Sequence, residues 1–416
     1  MKGILVLLDG VCDRPCPELQ GKTPLDVANT PNLDFFISSG AKLGLMYPIK
    51  PGFIPESDQS LMSIFGNDFN KSIRGELEAI GSGLDLKRGD ISFRVNFASV
   101  DKKTGIILDR RVGRSLKTSE ADALANAVSK IKFSYPFLFK PTTQHRAVLV
   151  LKGGFSESIS TNDSGYFHGK ISDVDKISFC KALDDSDNST HTANVVNVFL
   201  ERACAILEDH PVNLERVRKG LLPANYFLLR GAGTEMPKMK DYHRWMALVY
   251  TPLEKGFAKT SGMKVFSFNY PRLDNFDAYE NIQEGLKSAC ALPELVLDEN
   301  KDLYHFCYIH INETDFPGHD NRPIDRVKML EYLDKTLFSY LRLFCLENNV
   351  SLLITANQAT PCVVKNHSAD PVPVLFFNPS SVSIGGETHF CEESCLKGEL
   401  GEFNGRSLLK KVGFDK

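Results

Sequence analysis

The chain of 416 residues contains 42% hydrophobic and 24% charged residues and carries a formal net charge of −3 at pH 7. This charge balance gives no reason to expect nucleic acid or an anionic membrane surface as a partner. No run approaches the roughly 18 apolar residues that span a bilayer, and the first residues lack the features of a signal peptide. Together with ten scattered cysteines, which are typical of reduced thiols, these features predict a cytoplasmic protein.

Strand-like and helix-like segments alternate along the chain. Short apolar runs predict strands over residues 3–8, 91–100, 105–109, 146–152, 226–229, 263–268, 306–311, 351–355 and 372–377. Helix-like patterns cover part of 56–65 and residues 118–131, 190–207 and 320–347. The alternation predicts an α/β fold with a mostly parallel central sheet and helices on both faces.

The stretch from about residue 89 to 222 differs from the rest of the chain. Two extended runs face each other across a polar turn at 101–105, and a helix, a strand, polar loops and a second helix follow. This order is typical of a compact α+β unit. We therefore expect a core formed by residues 1–88 and 223–416, and an inserted smaller α+β domain formed by residues 89–222.

Three predicted strands end on potential metal ligands. The first runs into Asp9, and the strand at 306–311 runs into Asp315 with His319 four residues on. The strand at 351–355 runs into Asn357-Gln358, with His367 beyond it. Ligands of open α/β sheets bind beyond the carboxyl ends of the strands, and two histidines with a carboxylate are a common ligand set for zinc, manganese or iron. The pattern predicts a metal site with one neutral, amide-bearing side.

Ser57 lies where a loop enters a predicted helix. A serine at such a place is most often an N-cap that accepts a hydrogen bond from the helix backbone. The alternative is a nucleophile, because a helix N-terminus favours the alkoxide. The residues by themselves leave both interpretations open.

Basic residues gather in and just beyond the predicted insert: Arg94, Arg110, Arg111, Arg114, His145, Arg146 and Arg230. Such residues can be solvated surface charge or protection of a strand edge. Forked, permanently charged donors also suit phosphate and carboxylate groups. On the second interpretation the substrate carries several negative charges.

Ordered motifs along nearly the whole chain carry a family resemblance. They include Leu7-Leu8-Asp9-Gly10, Glu56-Ser57-Asp58, Asp109-Arg110-Arg111-Val112-Gly113-Arg114, Leu229-Arg230-Gly231-Ala232-Gly233, Gly318-His319-Asp320 and His367-Ser368. In these motifs the chain resembles the archaeal-type, cofactor-independent phosphoglycerate mutases of the alkaline phosphatase superfamily. The resemblance implies an alkaline-phosphatase-like core, a phosphorylated three-carbon acid as substrate, and a phosphoserine intermediate.

The resemblance also assigns roles to residues. Ser57 would be the nucleophile, and Asp315, His319 and His367 would hold one divalent metal, with manganese expected before zinc, cobalt or magnesium. Asp9, Ser57, Asn357 and Gln358 would hold a second metal. The substrate would contact Arg94, Asp109, Arg110, Arg114, His145, Arg146 and Arg230, with Asp173 and Asp175 nearby.

Three positions depart from the family pattern. Asn357-Gln358 replaces an Asp-His pair, Asn312 replaces a lysine, and Glu56 replaces a glycine. Amide oxygens bind hard cations but lack the charge of a carboxylate, so one or two metals per chain are expected. The alternatives to a mutase are an impaired or non-catalytic relative and another phosphoryl transfer, homoserine-kinase-like or phosphohydrolytic.

Overall fold

The computed structural model describes residues 1–69, 72–163, 166–167, 170–171, 176–235, 238–381 and 389–415. Asp173 and Asp175, expected near the substrate, lie outside the described residues. Within these ranges, no helix is both long and apolar enough to cross a membrane.

Fifteen strands and fourteen α-helices are described in these ranges. The strands are β1 Gly3–Leu8, β2 Lys42–Tyr47, β3 Ile91–Asp101, β4 Ile106–Asp109, β5 Phe137–Pro141, β6 Arg146–Leu151, β7 Tyr166–Phe167, β8 Lys170–Ile171, β9 Tyr226–Gly233, β10 Trp245–Leu248, β11 Lys264–Phe266, β12 Phe306–Ile311, β13 Ser351–Thr355, β14 Val372–Phe377 and β15 Gly401–Asn404. The helices are α1 Pro24–Val27, α2 Pro31–Ser38, α3 Ser57–Ile64, α4 Arg74–Gly81, α5 Thr118–Val128, α6 Asp187–Glu208, α7 Pro211–Arg218, α8 Pro252–Thr260, α9 Ala278–Asn300, α10 Phe316–His319, α11 Pro323–Leu333, α12 Ser339–Asn348, α13 Glu392–Leu396 and α14 Leu408–Lys411.

The large sheet has the strand order β11-β10-β12-β1-β13-β14-β2-β15. Most neighbouring strands run parallel, and only the pairs β13–β14 and β14–β2 are antiparallel. The predicted α/β fold with a mostly parallel central sheet is therefore confirmed. Strand β1 is buried along its whole length because parallel strands are covered on both faces.

The register of this sheet aligns three strand ends. Leu8 pairs with Ile311 and Leu7 pairs with Thr355, so β1, β12 and β13 end side by side. Asp9, the segment 312–319 and the segment 356–360 leave the sheet at the same edge. This alignment brings distant parts of the sequence into one place.

A smaller sheet has the order β4-β3-β6-β5, with β9 paired to β3. Its strands and helices α5 and α6 enclose a separate hydrophobic core that contains Phe97, Leu149, Phe199 and Phe227. The predicted domain limit at residue 222 precedes β9, which belongs to this smaller sheet. The division of the chain into two domains stays a prediction.

The helix predicted over residues 320–347 is divided. Helix α11 begins at Pro323, which is suited to the first position of a helix, and a π-helical turn at Asp334–Phe338 separates it from α12. The buried Asp334 carboxylate accepts hydrogen bonds from the backbone N–H groups of Asn32 and Leu33 at the start of α2. The wide turn lies where this helix docks on α2.

Candidate active site

Asp315, His319 and His367 converge at the aligned strand ends. One ligand atom from each side chain lies within 4.8 Å of the others. Asp315 Oδ2 is 3.1 Å from His319 Nε2, and the two imidazole rings are 5.3 Å apart between centroids. The strand ends in the sequence predict this trio, and the fold brings its members together.

Backbone carbonyl groups orient both imidazoles. His319 Nδ1 lies 3.1 Å from the oxygen of Lys365, and His367 Nδ1 lies 2.9 Å from the oxygen of Pro55. A carbonyl can only accept, so each Nδ1 carries the proton, and Nε2 is left as the ligating nitrogen of each neutral imidazole. Metal-bound histidines are held in this way, and the trio therefore fits a divalent cation.

Burial and neighbouring charges act in opposite directions on the pKa values of His319 and Asp315. Burial lowers the pKa of His319 below its usual value, which favours the neutral, ligating imidazole. Burial alone would raise the pKa of Asp315, but the neighbouring His319 and the hydroxyl of Thr360 hold it well below its usual range. The hydroxyl of Thr360 donates to Asp315 Oδ1 over 2.6 Å. Asp315 is therefore ionised, and a metal ion would bind the trio with both imidazoles in the neutral form.

Gly10 makes room for this arrangement. Its φ of +60° lies in the left-handed region that favours glycine. A side chain there would collide with the carboxylate of Asp315 and the hydroxyl of Thr360. The glycine after Asp9 thus allows the first strand end to approach the trio.

Ser57 is the first residue of α3 and is nearly buried. It is not the N-cap, because Glu56 occupies that position and forms a capping box with Gln59. The hydroxyl of Ser57 instead donates to Gln358 Oε1 over 3.3 Å. The side chain that the helix does not use is available for chemistry.

Gln358 lies between Ser57 and the trio. Its Nε2 donates to His367 Nε2 over 2.8 Å and lies 3.5 Å from Asp315 Oδ1. Asn357 is fully buried beside it, and neither polar atom of its side chain has a hydrogen-bond partner within the described residues. The two positions expected to hold the second metal are therefore neutral amides, and Gln358 is the one that forms a hydrogen bond with Ser57.

Seven arginines line the pocket above Ser57 and the trio: Arg74, Arg94, Arg110, Arg111, Arg114, Arg146 and Arg230. Burial, followed by the positive charges of Arg74 and Arg146, lowers the pKa of Arg94. Burial and the neighbouring Arg114 lower the pKa of Arg111 to about 9. Crowded guanidiniums repel one another, so an anion between them is favoured.

Acidic partners hold some of these arginines in place. Arg110 and Arg230 both contact the buried carboxylate of Asp163, at 3.1 and 2.6 Å. Burial alone would raise the pKa of Asp163, but the two guanidiniums hold it below its usual value. Arg114 pairs with Asp320 at 3.0 Å. Arg146 forms no side-chain hydrogen bond or ion pair with any described residue.

Two predicted substrate residues do not line this pocket. Asp109 Oδ1 accepts hydrogen bonds from the backbone N–H groups of Arg111 and Gly113 over 2.6 and 2.9 Å. These bonds shape the loop over residues 110–114, which carries three arginines. His145 is buried and does not line the pocket, and burial together with the charge of Arg146 lowers its pKa. Neither residue lines this pocket, and their contact with substrate stays a prediction.

Three charged residues that line the pocket are absent from the sequence-based prediction: Arg74, Glu78 and Glu254. They lie on α4 and α8, which pack so closely that a side chain at Gly81 or Gly256 would collide with the backbone of the other helix. Gly81 and Gly256 were the available signal, since a glycine in a helix often marks a close approach of another element.

A second trio of potential ligands, Asp13, Cys16 and Cys362, is already satisfied. Arg326 donates to Asp13 Oδ2 over 2.6 Å, and the backbone N–H of Cys362 donates to Oδ1 over 2.9 Å. Both side chains of the Asp13–Arg326 pair are fully buried. Because a permanent cation neutralises Asp13, this trio is a structural link and not a metal site.

Known proteins match the chain from end to end. A 2,3-bisphosphoglycerate-independent phosphoglycerate mutase from Pyrococcus abyssi is 39% identical over 98% of this chain and 96% of its own length. One from Methanothermobacter thermautotrophicus is 36% identical over 98% of the chain and 96% of its own length. The chain belongs to this family of mutases.

Family-model and structural matches agree with this assignment. Residues 38–213 match the model for the 2,3-bisphosphoglycerate-independent phosphoglycerate mutases. The cofactor-independent phosphoglycerate mutase from Thermoplasma acidophilum superposes with a TM-score of 0.57 at 30% identity, covering 100% of this chain and 99% of its own. A solved protein from Pyrococcus horikoshii gives a TM-score of 0.73 at 29% identity, covering 100% and 98%. The family resemblance in the sequence is confirmed.

Proposed function

We propose that the chain interconverts 3-phosphoglycerate and 2-phosphoglycerate by transfer of the phosphoryl group through Ser57. The observation that carries this proposal is that Ser57, whose hydroxyl the α3 backbone does not use, lines the same pocket as the ligand trio and the seven arginines. The full-length relatives are named for this reaction. Phosphoryl transfer depends mainly on positioning and on the stabilisation of charge.

Each part of the site has a role in this reaction. Arg146 and Arg94 bind the negative groups of the substrate, because guanidiniums are forked, permanently charged donors for phosphate and carboxylate. Ser57 attacks phosphorus and releases glycerate, which turns in the pocket and takes the phosphoryl group back on its other hydroxyl. Asp315, His319 and His367 would hold a divalent metal, which screens phosphoryl oxygens and lowers the pKa of a bound hydroxyl when present.

A second candidate is a relative with weak or no turnover. The observation in its favour is the amide pair at positions 357 and 358, since an amide cannot accept a proton from Ser57 as an imidazole can. Loss of one activating group costs several kcal/mol of transition-state stabilisation, and each ~1.4 kcal/mol is tenfold in rate. The arginine pocket favours an anionic ligand on either account.

The deciding experiment is a coupled assay of 3-phosphoglycerate conversion with manganese, zinc, cobalt or magnesium. We expect turnover above about 1 per second, loss of turnover in Ser57→Ala, and no loss in Ser60→Ala. Ser60 is a matched control because it lies on the same helix, is buried, and its hydroxyl has no partner within the described residues. Turnover retained by Ser57→Ala would remove Ser57 from the nucleophile role.

Two further arms separate other phosphoryl transfers. Phosphate release from phosphoglycerate without isomerisation would indicate a phosphohydrolase, and ATP-dependent phosphorylation of homoserine would indicate a kinase. Absence of turnover with every ion would favour the non-catalytic relative. We also propose that the enzyme is cytoplasmic, which is supported by its ten cysteines, all free thiols.

A further inference from the structure

Three ionisable side chains meet beside Ser57 but outside the metal trio. Asp9, Glu254 and His310 are 7%, 2% and 0% exposed. His310 Nε2 lies 3.7 Å from Asp9 Oδ2 and 3.9 Å from Glu254 Oε1. Asp9 and Glu254 also line the pocket that contains Ser57. The motifs that carry the family resemblance include neither Glu254 nor His310.

The polar atoms of this cluster are short of partners. Asp9 Oδ1, Glu254 Oε2 and His310 Nε2 have no hydrogen-bond partner in the part of the chain that the structure describes. The same holds for Asn312 Oδ1 and for both side-chain polar atoms of Asn357. Burying a charged group without a partner costs far more than a lost hydrogen bond. So many unsatisfied atoms in one place indicate a missing ligand.

The chemistry of these atoms selects a cation. Two carboxylates carry negative charge, and the amide oxygen of Asn312 is a further neutral donor atom. The hydroxyl of Tyr308 lies 2.6 Å from His310 Nδ1 and can hold the proton on that nitrogen, which leaves the Nε2 lone pair toward both carboxylates. The two carboxylates would repel an anion, and an apolar ligand would leave these polar atoms without partners.

The spacing also suits a metal ion. Two ligand atoms at about 2.1 Å from one ion in tetrahedral geometry lie about 3.4 Å from each other. The observed separations of 3.7 and 3.9 Å exceed this value by only a few tenths of an ångström. Small side-chain movements would therefore complete the coordination.

We propose that Asp9, Glu254 and His310 bind a divalent cation, which takes the place of a second ion at Asn357 and Gln358. Asn312 is close enough to add its amide oxygen, since its Nδ2 already donates to Glu254 Oε1 over 3.2 Å. The ion neutralises two carboxylates that would otherwise repel the phosphate at Ser57. This role of the ion rests on the proposed mutase function, whereas its binding does not.

The test is a count of bound manganese in chelator-stripped protein that is reloaded and desalted. We expect two ions per chain in the unmodified protein, one in Glu254→Gln, one in Asp315→Asn, and none in the double variant. Glu313→Gln is the matched control, because Glu313 is equally buried at the same strand end and its carboxylate accepts from the hydroxyls of Tyr250 and Tyr270. This control should retain two ions.

Other outcomes would overturn the proposal. One ion in the unmodified protein, with none lost in Glu254→Gln, would mean that a protonated His310 neutralises the carboxylates. Should Glu254→Gln not fold, His310→Gln and the count in the unmodified protein decide the matter. Mutase assays on the same samples separate the two proposals: turnover with one ion contradicts this inference alone, and two ions without turnover contradict only the function.

Discussion

The side-chain oxygen of Gln358 accepts a hydrogen bond from the hydroxyl of Ser57 over 3.3 Å. The same amide donates to His367 on its other side, so one neutral side chain links the proposed nucleophile to the proposed metal trio. An amide can orient the serine but can neither take its proton nor neutralise a phosphate. We therefore expect Gln358 to limit the rate of phosphoryl transfer at Ser57.

Replacing the two amides at positions 357 and 358 by ionisable side chains should raise kcat. In the double variant Asn357→Asp with Gln358→His, a carboxylate and an imidazole replace two amides beside Ser57. We expect kcat for 3-phosphoglycerate to rise by about tenfold or more, equivalent to ~1.4 kcal/mol of transition-state stabilisation. Initial rates in manganese measure this change. An unchanged kcat in folded, metal-loaded protein would show that the amides do not limit turnover.

Arg146 should affect binding rather than stability. Its half-buried side chain lies among other arginines, and partial burial together with the charge of Arg74 lowers its pKa. For Arg146→Gln we expect KM for phosphoglycerate to rise about 10- to 100-fold, as a charge-assisted contact of ~1.5–3 kcal/mol is lost. The free energy of unfolding should not fall, because a repelling charge is removed.

The control for this prediction is Arg88→Gln, since the Arg88 side chain is 92% exposed and lies outside the pocket. It should leave KM unchanged. Equal effects of the two substitutions on KM would remove Arg146 from the substrate site.

The Asp13–Arg326 pair should contribute strongly to the free energy of unfolding. Both side chains are fully buried, 2.6 Å apart. Arg326→Met leaves Asp13 buried without its cation, so we expect a loss of about 3–5 kcal/mol in the free energy of unfolding, measured by urea denaturation. The exposed pair Arg14–Asp370 is the comparison, and Asp370→Asn should cost at most about 1 kcal/mol. Similar losses in both variants would contradict this account.

His389 should make stability depend on pH. Its hydrogen bond to the carboxylate of Asp34 raises the pKa of the imidazole in the folded protein. Because the imidazole has a higher pKa in the folded than in the unfolded protein, it contributes its full stabilisation below the unfolded pKa of about 6.5. This stabilisation is lost as the pH rises through the pKa of the folded protein. The difference in unfolding free energy between the unmodified protein and His389→Gln should therefore be larger at acidic than at alkaline pH. A difference that stays constant with pH would rule out this contribution.

The strand ends were predictable because hydrophobic runs are local signals. Residues 3–8, 306–311 and 351–355 have the pattern of buried strands, and parallel pairing brings such ends to one edge. Asp9, Asp315 and Asn357 can thus be grouped from the sequence alone. The order of family motifs adds Ser57 and the arginines to this group. It does not distinguish residues that line the pocket from those, such as Asp109, that shape a neighbouring loop.

By itself, the sequence determined the α/β alternation, the family, and which side chains reach the edge of the central sheet, because each of these depends on local periodicity or on motif order. Only the tertiary structure decided that Glu254 and His310 face Asp9, and that Gln358 lies between Ser57 and His367. These contacts join residues far apart in the chain, and their geometry depends on how helices pack and which rotamers fit. No local pattern in the sequence carries that information.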